Sequence, residues 1–178
     1  MTELDVLRIV SERLTARGLA FMLTGSFALA YYATPRMTRD IDIVVALTSA
    51  DSAGLVSAFA PDFYVDADAV QDALAAEGLF NMMHLESGIK VDLIIRRDEE
   101  YRRVEFERRA PINFASIRTW IVSREDLMLS KLVWARVGAS ELQLRDVRAL
   151  IANDMDTNYL RHWAEVLGVS AMLEELLA

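Results

Sequence analysis

The sequence contains no cysteine, which removes disulfides, thiolate metal ligands and a cysteine nucleophile together. Histidine is nearly absent too: only His84 and His162 occur. A lone strand histidine and a histidine beside Trp163 read as structural, so chemistry is left to carboxylates, hydroxyls and lysines. Seven glycines and three prolines in 178 residues leave no flexible linker, low-complexity tract or internal repeat. Positive charge is also scarce. Nineteen basic against 27 acidic residues give a net charge of −8 and a pI near 4.8, so no broad cationic surface exists and extended nucleic acid is not the expected partner. The local run Arg96, Arg97, Arg102, Arg103, Arg108 and Arg109 reads as a solvated face, with RNA binding as its alternative. The most apolar stretch, 18–33, is shorter than the roughly 20 residues of a membrane span and is broken by Thr24, Gly25 and Ser26. The opening Met-Thr-Glu-Leu-Asp lacks the positive flank and apolar centre of an export signal. The expectation is a cytoplasmic protein with no membrane association.

What the sequence does have is apolar content, 53% of residues, enough for one core. Residues 3–17 place Leu4, Leu7, Val10 and Leu14 at helical spacing, and Gly18 stands where a helix would stop. Residues 19–23 form a short apolar run that ends at Thr24-Gly25-Ser26, and 27–32 read as a helix closed by Thr34-Pro35. A strand is predicted over 40–47, ending near a Thr48-Ser49 cap. Helices are predicted near 52–59 and 68–77, and strands over 80–85 and 89–95 joined as a hairpin around Glu86-Ser87-Gly88. After a charged segment, 117–122 reads as the last strand. Ser123 with Asp126 three residues later marks a capping box, and the rest is helical in pattern. The predicted class is α+β: a small mixed sheet with flanking helices over 1–122, followed by a C-terminal helical layer over 123–178 packed on it as one compact unit.

Three elements carry the chemistry. Asp40 and Asp42 lie two apart on a strand, so both carboxylates share one face. Like charges so close favour a neutralising cation, and hard oxygen ligands suit Mg²⁺. Gly25-Ser26 sits at a strand-to-helix turn, where glycine admits a ligand close to the backbone and free N–H groups attract phosphate; a plain turn with an N-cap is the alternative. In Lys90-Val91-Asp92-Leu93-Ile94-Ile95 a single carboxylate interrupts an apolar strand and needs a partner. It either joins Asp40 and Asp42 in a three-carboxylate cluster able to hold two Mg²⁺ ions, or pairs with Lys90 or an arginine.

Taken together, Gly25-Ser26, Arg36-Met37-Thr38-Arg39-Asp40-Ile41-Asp42 and Lys90-Val91-Asp92 resemble the nucleotidyltransferase superfamily of DNA-polymerase-beta fold. The Arg-x-Thr-x-Asp-Ile-Asp form, with Lys131 and Arg145-Asp146, is similar to its AbiEii-type branch, which includes toxin components of bacterial toxin–antitoxin systems. The resemblance spans roughly residues 19–151. It implies that Asp40, Asp42 and Asp92 bind metal, that Asp92 also acts as general base, and that Gly25 and Ser26 hold the phosphates of a nucleoside triphosphate. Arg36, Thr38 and Lys131 join the nucleotide-binding set by the same resemblance; for Lys131, a side chain snorkelling to water is the alternative. Gly25-Ser26 replaces a double glycine, and the chain is short beside the toxins of that branch. The expected reaction moves a nucleoside monophosphate, with ATP the expected donor, onto a hydroxyl of a protein, small molecule or RNA. A non-catalytic nucleotide sensor or a component of a toxin–antitoxin pair is the rival expectation, and the acceptor and any partner protein are left open.

Overall fold

The computed structural model describes residues 1–33 and 40–178. Arg36 and Thr38 therefore lie outside the described residues. The elements, in chain order, are α1 (Glu3–Ala16), β1 (Phe21–Leu23), α2 (Gly25–Tyr32), β2 (Asp40–Val45), α3 (Ser49–Phe59), β3 (Phe63–Val65), α4 (Ala67–Ala76), β4 (Leu79–His84), β5 (Lys90–Ile95), α5 (Glu100–Glu107), β6 (Ala110–Phe114), β7 (Ile117–Ile121), α6 (Arg124–Gly138), α7 (Glu141–Leu150), α8 (Thr157–Val166) and α9 (Ser170–Leu177). The strands form one mixed sheet in the order β3-β4-β5-β2-β1-β7-β6. β2 runs parallel to β5 and β1 parallel to β7, while the other neighbours are antiparallel.

Local chemistry explains where the helices begin and end. Thr2 and Asp5 close a capping box at the start of α1, with the Thr2 backbone N–H donating to Asp5 Oδ2 at 2.8 Å. Gly18, at φ +68, ends the helix by letting the Leu19 N–H reach back to the Leu14 carbonyl at 3.0 Å. The buried stripe of α1 is Val6, Leu7, Val10 and Leu14, while Leu4 is exposed; the stripe keeps three of the expected residues, with Val6 in place of Leu4. Ser123 caps α6 by accepting from the Asp126 N–H, the N-cap half of the expected capping box, and its hydroxyl donates to Asp126 Oδ2 at 2.6 Å.

Each strand of the β2-β5-β4 group alternates buried and less buried residues. The buried set includes Ile41, Ile43, Val45, Val91, Leu93, Phe80 and Met82. These pack with Phe59, Phe63, Leu55 and Val70 in one apolar cluster that also takes in Leu127, Leu132, Leu150 and Leu160 of the C-terminal helices. Each such side chain contributes roughly 1.5–3 kcal/mol on leaving water. The opposite face of the same strands carries Asp40, Asp42 and Val44 on β2, Lys90, Asp92 and Ile94 on β5, and Leu79, Asn81 and Met83 on β4. That face is open over β4, where Leu79, Asn81 and Met83 are all exposed.

Two strands and one helix were not expected from the sequence. β3 and β6 are the sheet's two edges, short or proline-containing segments whose membership depends on pairing with a neighbour. The β6–β7 turn is made by Ala115 and Ser116, both at positive φ, without the Asn-Gly signature that usually announces such a hairpin. α5 lies in the charged segment and buries Tyr101, Glu105 and Phe106.

Candidate functional site

The pairing of β2 with β5 sets Asp42 directly opposite Asp92 and Asp40 opposite Lys90. Neighbouring strands lie about 4.8 Å apart, so the two central carboxylates stand side by side on one face. β1 then brings in the Gly25 turn. The Thr24 N–H donates to the Asp42 carbonyl at 2.9 Å, and the Ser26 backbone N–H hydrogen-bonds the Asp42 carboxylate. Gly25 has φ +60, and a Cβ there would lie 1.9 Å from Asp42 Oδ2, so no side chain fits. The turn expected to meet phosphate is thus already seated on a carboxylate.

Electrostatically the cluster is crowded. Burial pushes the Asp42 carboxyl up from the ordinary range, helped by the charges of Asp92 and Asp40 and opposed by the Ser26 N–H and the Lys131 ammonium. Asp92 Oδ2 accepts from Lys90 Nζ at 3.0 Å, and the same ammonium is 3.9 Å from Asp40 Oδ2. Asp92 therefore takes the pairing with Lys90 that the sequence allowed, while the strand register sets it beside Asp42. Its other oxygen, Oδ1, is buried with no hydrogen-bond partner among the described residues. Such an atom is costly in a folded protein unless a cation or donor meets it. The donor set of hard carboxylate oxygens, one of them orphaned, fits a divalent cation. Among the described residues, however, no three acidic side chains are grouped closely enough to close a ligand set, and Lys90 holds part of the space between them.

Lys131 is buried and does not snorkel to water. Its Nζ donates to Asp146 Oδ2 at 2.8 Å and to Gln143 Oε1 at 3.1 Å, linking α6 to α7 beside the carboxylates. Gly25, Ser26, Asp42 and Lys131 all line a cleft of about 580 Å³ between the open sheet face and α6. Asp40 and Asp92 do not line it; they stand at its edge.

The cleft also takes in part of the basic run that reads in sequence as a solvated face. Arg96, Arg97 and Arg102 line it, whereas Arg108 turns to Asp126 and stacks on Tyr159 and Arg109 stacks on Phe106 and Trp120. The basic run is therefore divided between sites rather than forming one face. Arg102 is held by Glu105 at 2.8 Å and by Ser130 Oγ at 2.9 Å; burial raises the Glu105 carboxyl. Trp134 and Val137 of α6 stand exposed at the opposite wall. The helical spacing of Trp134, Lys131 and Leu127 was the one signal that could have placed these on a common cleft. His84 is buried against Phe63, with Nδ1 bonded to Ser87 Oγ at 2.9 Å, and His162 packs edge-on to Trp163. Both are structural, as expected. No described helix is long and apolar enough to cross a membrane.

No protein-family model matches the sequence, and no curated protein matches it. Solved structures do. The chain is similar over 96% of its length to 91% of an antigenic nucleotidyltransferase-like protein from Paracoccidioides brasiliensis, at 15% identity and TM-score 0.57. It is similar to the antibiotic-resistance factor ANT(2")-Ia in complex with adenylyl-2"-tobramycin, with 96% of this chain and 95% of that one covered, 16% identity and TM-score 0.56. A lincomycin-bound lincosamide antibiotic adenylyltransferase, LnuA, matches over 84% of this chain and 96% of its own, at 14% identity and TM-score 0.54. The mixed sheet, its flanking helices and the C-terminal helices thus compose a nucleotidyltransferase fold.

Proposed function

We propose that the protein is a metal-dependent nucleotidyltransferase that moves a nucleoside monophosphate from a nucleoside triphosphate, ATP in the first instance, to an acceptor hydroxyl. The observation that carries this reading is Asp42, held by the Gly25-Ser26 turn in the cleft wall and set opposite Asp92 by the strand register, in a fold shared with solved adenylyltransferases. Residues 1–122 act as the catalytic core and 123–178 as the helical part that closes the cleft.

In this reading Asp40, Asp42 and Asp92 hold two Mg²⁺ ions. Such ions would supply positive charge against the triphosphate. The protein supplies the rest. Gly25 and Ser26, at the start of α2, hold the phosphates, with Lys131, Arg36 and Thr38 completing the nucleotide set. Asp92 takes the proton of the acceptor hydroxyl as its oxygen bonds to the α-phosphorus. The bond from that phosphorus to the bridging oxygen breaks, and pyrophosphate leaves with the electron pair. Positioning and charge stabilisation do the catalytic work.

A small-molecule or protein hydroxyl ranks ahead of RNA, supported by the net charge of −8 and by the antibiotic-bound enzymes that share the fold. The finer resemblance to the AbiEii-type branch rests on Lys131 with Arg145-Asp146, and an Asp146–Lys131 ion pair is consistent with a shared structural device. A toxin–antitoxin partner and a cytoplasmic setting belong to that finer reading. The test is incubation with α-labelled nucleoside triphosphates, Mg²⁺ and each acceptor class, with Asp42→Asn in parallel. Label on a small molecule or protein, lost by at least about 10³-fold in the variant, is the expected result. Label on tRNA alone would reverse the acceptor ranking. Turnover retained by Asp42→Asn would sink the site assignment.

A further inference from the structure

The metal reading leaves one cleft-edge residue without a role. Lys90 begins β5, directly opposite Asp40 and two residues before Asp92, so its side chain shares their face. Its Nζ lies 3.0 Å from Asp92 Oδ2 and 3.9 Å from Asp40 Oδ2. One ammonium thus spans two of the three carboxylates. It leaves Asp92 Oδ1 buried and without a hydrogen-bond partner among the described residues. A divalent cation held by Asp92 and Asp40 would stand close to this ammonium, and like charges so near one another repel. The side chain has a route out. It is 41% exposed, and a four-carbon stem can turn its charged end to water at little cost.

From this geometry we infer that Lys90 is a resident counter-ion, which holds the carboxylates in register when no metal is bound and is displaced when a divalent cation enters. The inference rests on the metal reading above and deepens it: Lys90 acts as a positioning residue that competes with the cation and so sets its affinity. Removal of Lys90 then has two opposed effects. The metal-free protein loses its internal cation and becomes less stable, and the metal finds an emptier site.

The experiment titrates Mn²⁺ into wild type, Lys90→Met, Lys90→Gln and Asp42→Asn by calorimetry, and melts each protein in chelator and in Mg²⁺. Methionine keeps the apolar stem without the charge, and glutamine keeps a hydrogen-bond donor should the methionine variant fold poorly. The expected result is Mn²⁺ binding roughly 5- to 100-fold tighter in both Lys90 variants. Their melting temperature should be lower than wild type in chelator, with the deficit closing as Mg²⁺ is added. If wild type binds Mn²⁺, Asp42→Asn does not, and the Lys90 variants bind no more tightly than wild type, the counter-ion role is wrong while the metal site stands. Failure of wild type and both Lys90 variants to bind Mn²⁺ overturns the metal reading, and the inference with it.

Discussion

Gly25 and Asp42 are in contact so close that a single added carbon on the glycine would fall 1.9 Å from the aspartate's Oδ2. The contact ties the turn after β1 to the first acidic strand, and it makes the turn a support for the carboxylate as well as a route to the ligand. The positive φ at Gly25 adds a second reason for the same residue.

Gly25→Ala is expected to destabilise the fold by about 2 kcal/mol or more, from the left-handed backbone and the collision together. For a chain of this size that corresponds to a fall in Tm of roughly 4–8 °C, measured by thermal denaturation. Any residual protein should bind ATP and Mg²⁺ more weakly, because the displaced Asp42 no longer meets the Ser26 N–H.

Asp126 is the main tie between the sheet-side helix α5 and the C-terminal helices. Fully buried, it accepts from Tyr159 Oη at 2.6 Å, Tyr101 Oη at 3.3 Å, Arg108 Nε at 3.1 Å and Ser123 Oγ at 2.6 Å. Asp126→Ala removes the carboxylate that accepts from Tyr159 Oη, at about 1–3 kcal/mol, leaves Tyr101 Oη only the Asp126 carbonyl at 3.4 Å, and breaks the polar network at the start of α6, at about 1 kcal/mol. A total loss of about 3 kcal/mol is expected in urea denaturation. Asp126→Asn, which keeps an acceptor oxygen, should lose markedly less; equal losses would argue that packing rather than the network is responsible.

Acid sensitivity should trace in part to Asp62. Arg13 of α1 grips it with both guanidinium ends, Nη2 to Oδ2 at 2.7 Å, and this hydrogen-bonded pairing holds the Asp62 carboxyl below its ordinary value. A depressed folded-state pKa stabilises the fold above the unfolded value near 3.9, and the contribution disappears as pH falls through the lower folded value. The pair is partly exposed, so solvent screening limits it to about 1 kcal/mol or less. Denaturation of wild type and Asp62→Asn should differ at pH 7 and converge well below pH 4; a constant difference across that range would assign the effect to packing.

The sequence by itself determined much of this molecule. Period-2 alternation placed Asp40 and Asp42 on one strand face, and a lone carboxylate in an apolar run marked Asp92 as needing company. The Ser123–Asp126 spacing located the start of α6, and Gly18 the end of α1. These are local signals, written in neighbouring residues, and the backbone obeys them wherever the segment ends up. Tertiary structure alone decided the rest. Edge strands β3 and β6 exist because neighbours pair with them, and α5 is held by burying Tyr101 and Phe106 within a charged stretch. Lys131 was ambiguous in sequence because burial and snorkelling both suit a lysine on an apolar helix; the approach of Asp146 from α7 settled it. The sequence likewise offered Lys90 as a possible partner for Asp92, but that one ammonium spans Asp92 and Asp40 while Asp42 stands beside them follows from the parallel register of β2 with β5. That register is a long-range choice, made by which apolar faces bury together, and no short window of sequence contains it.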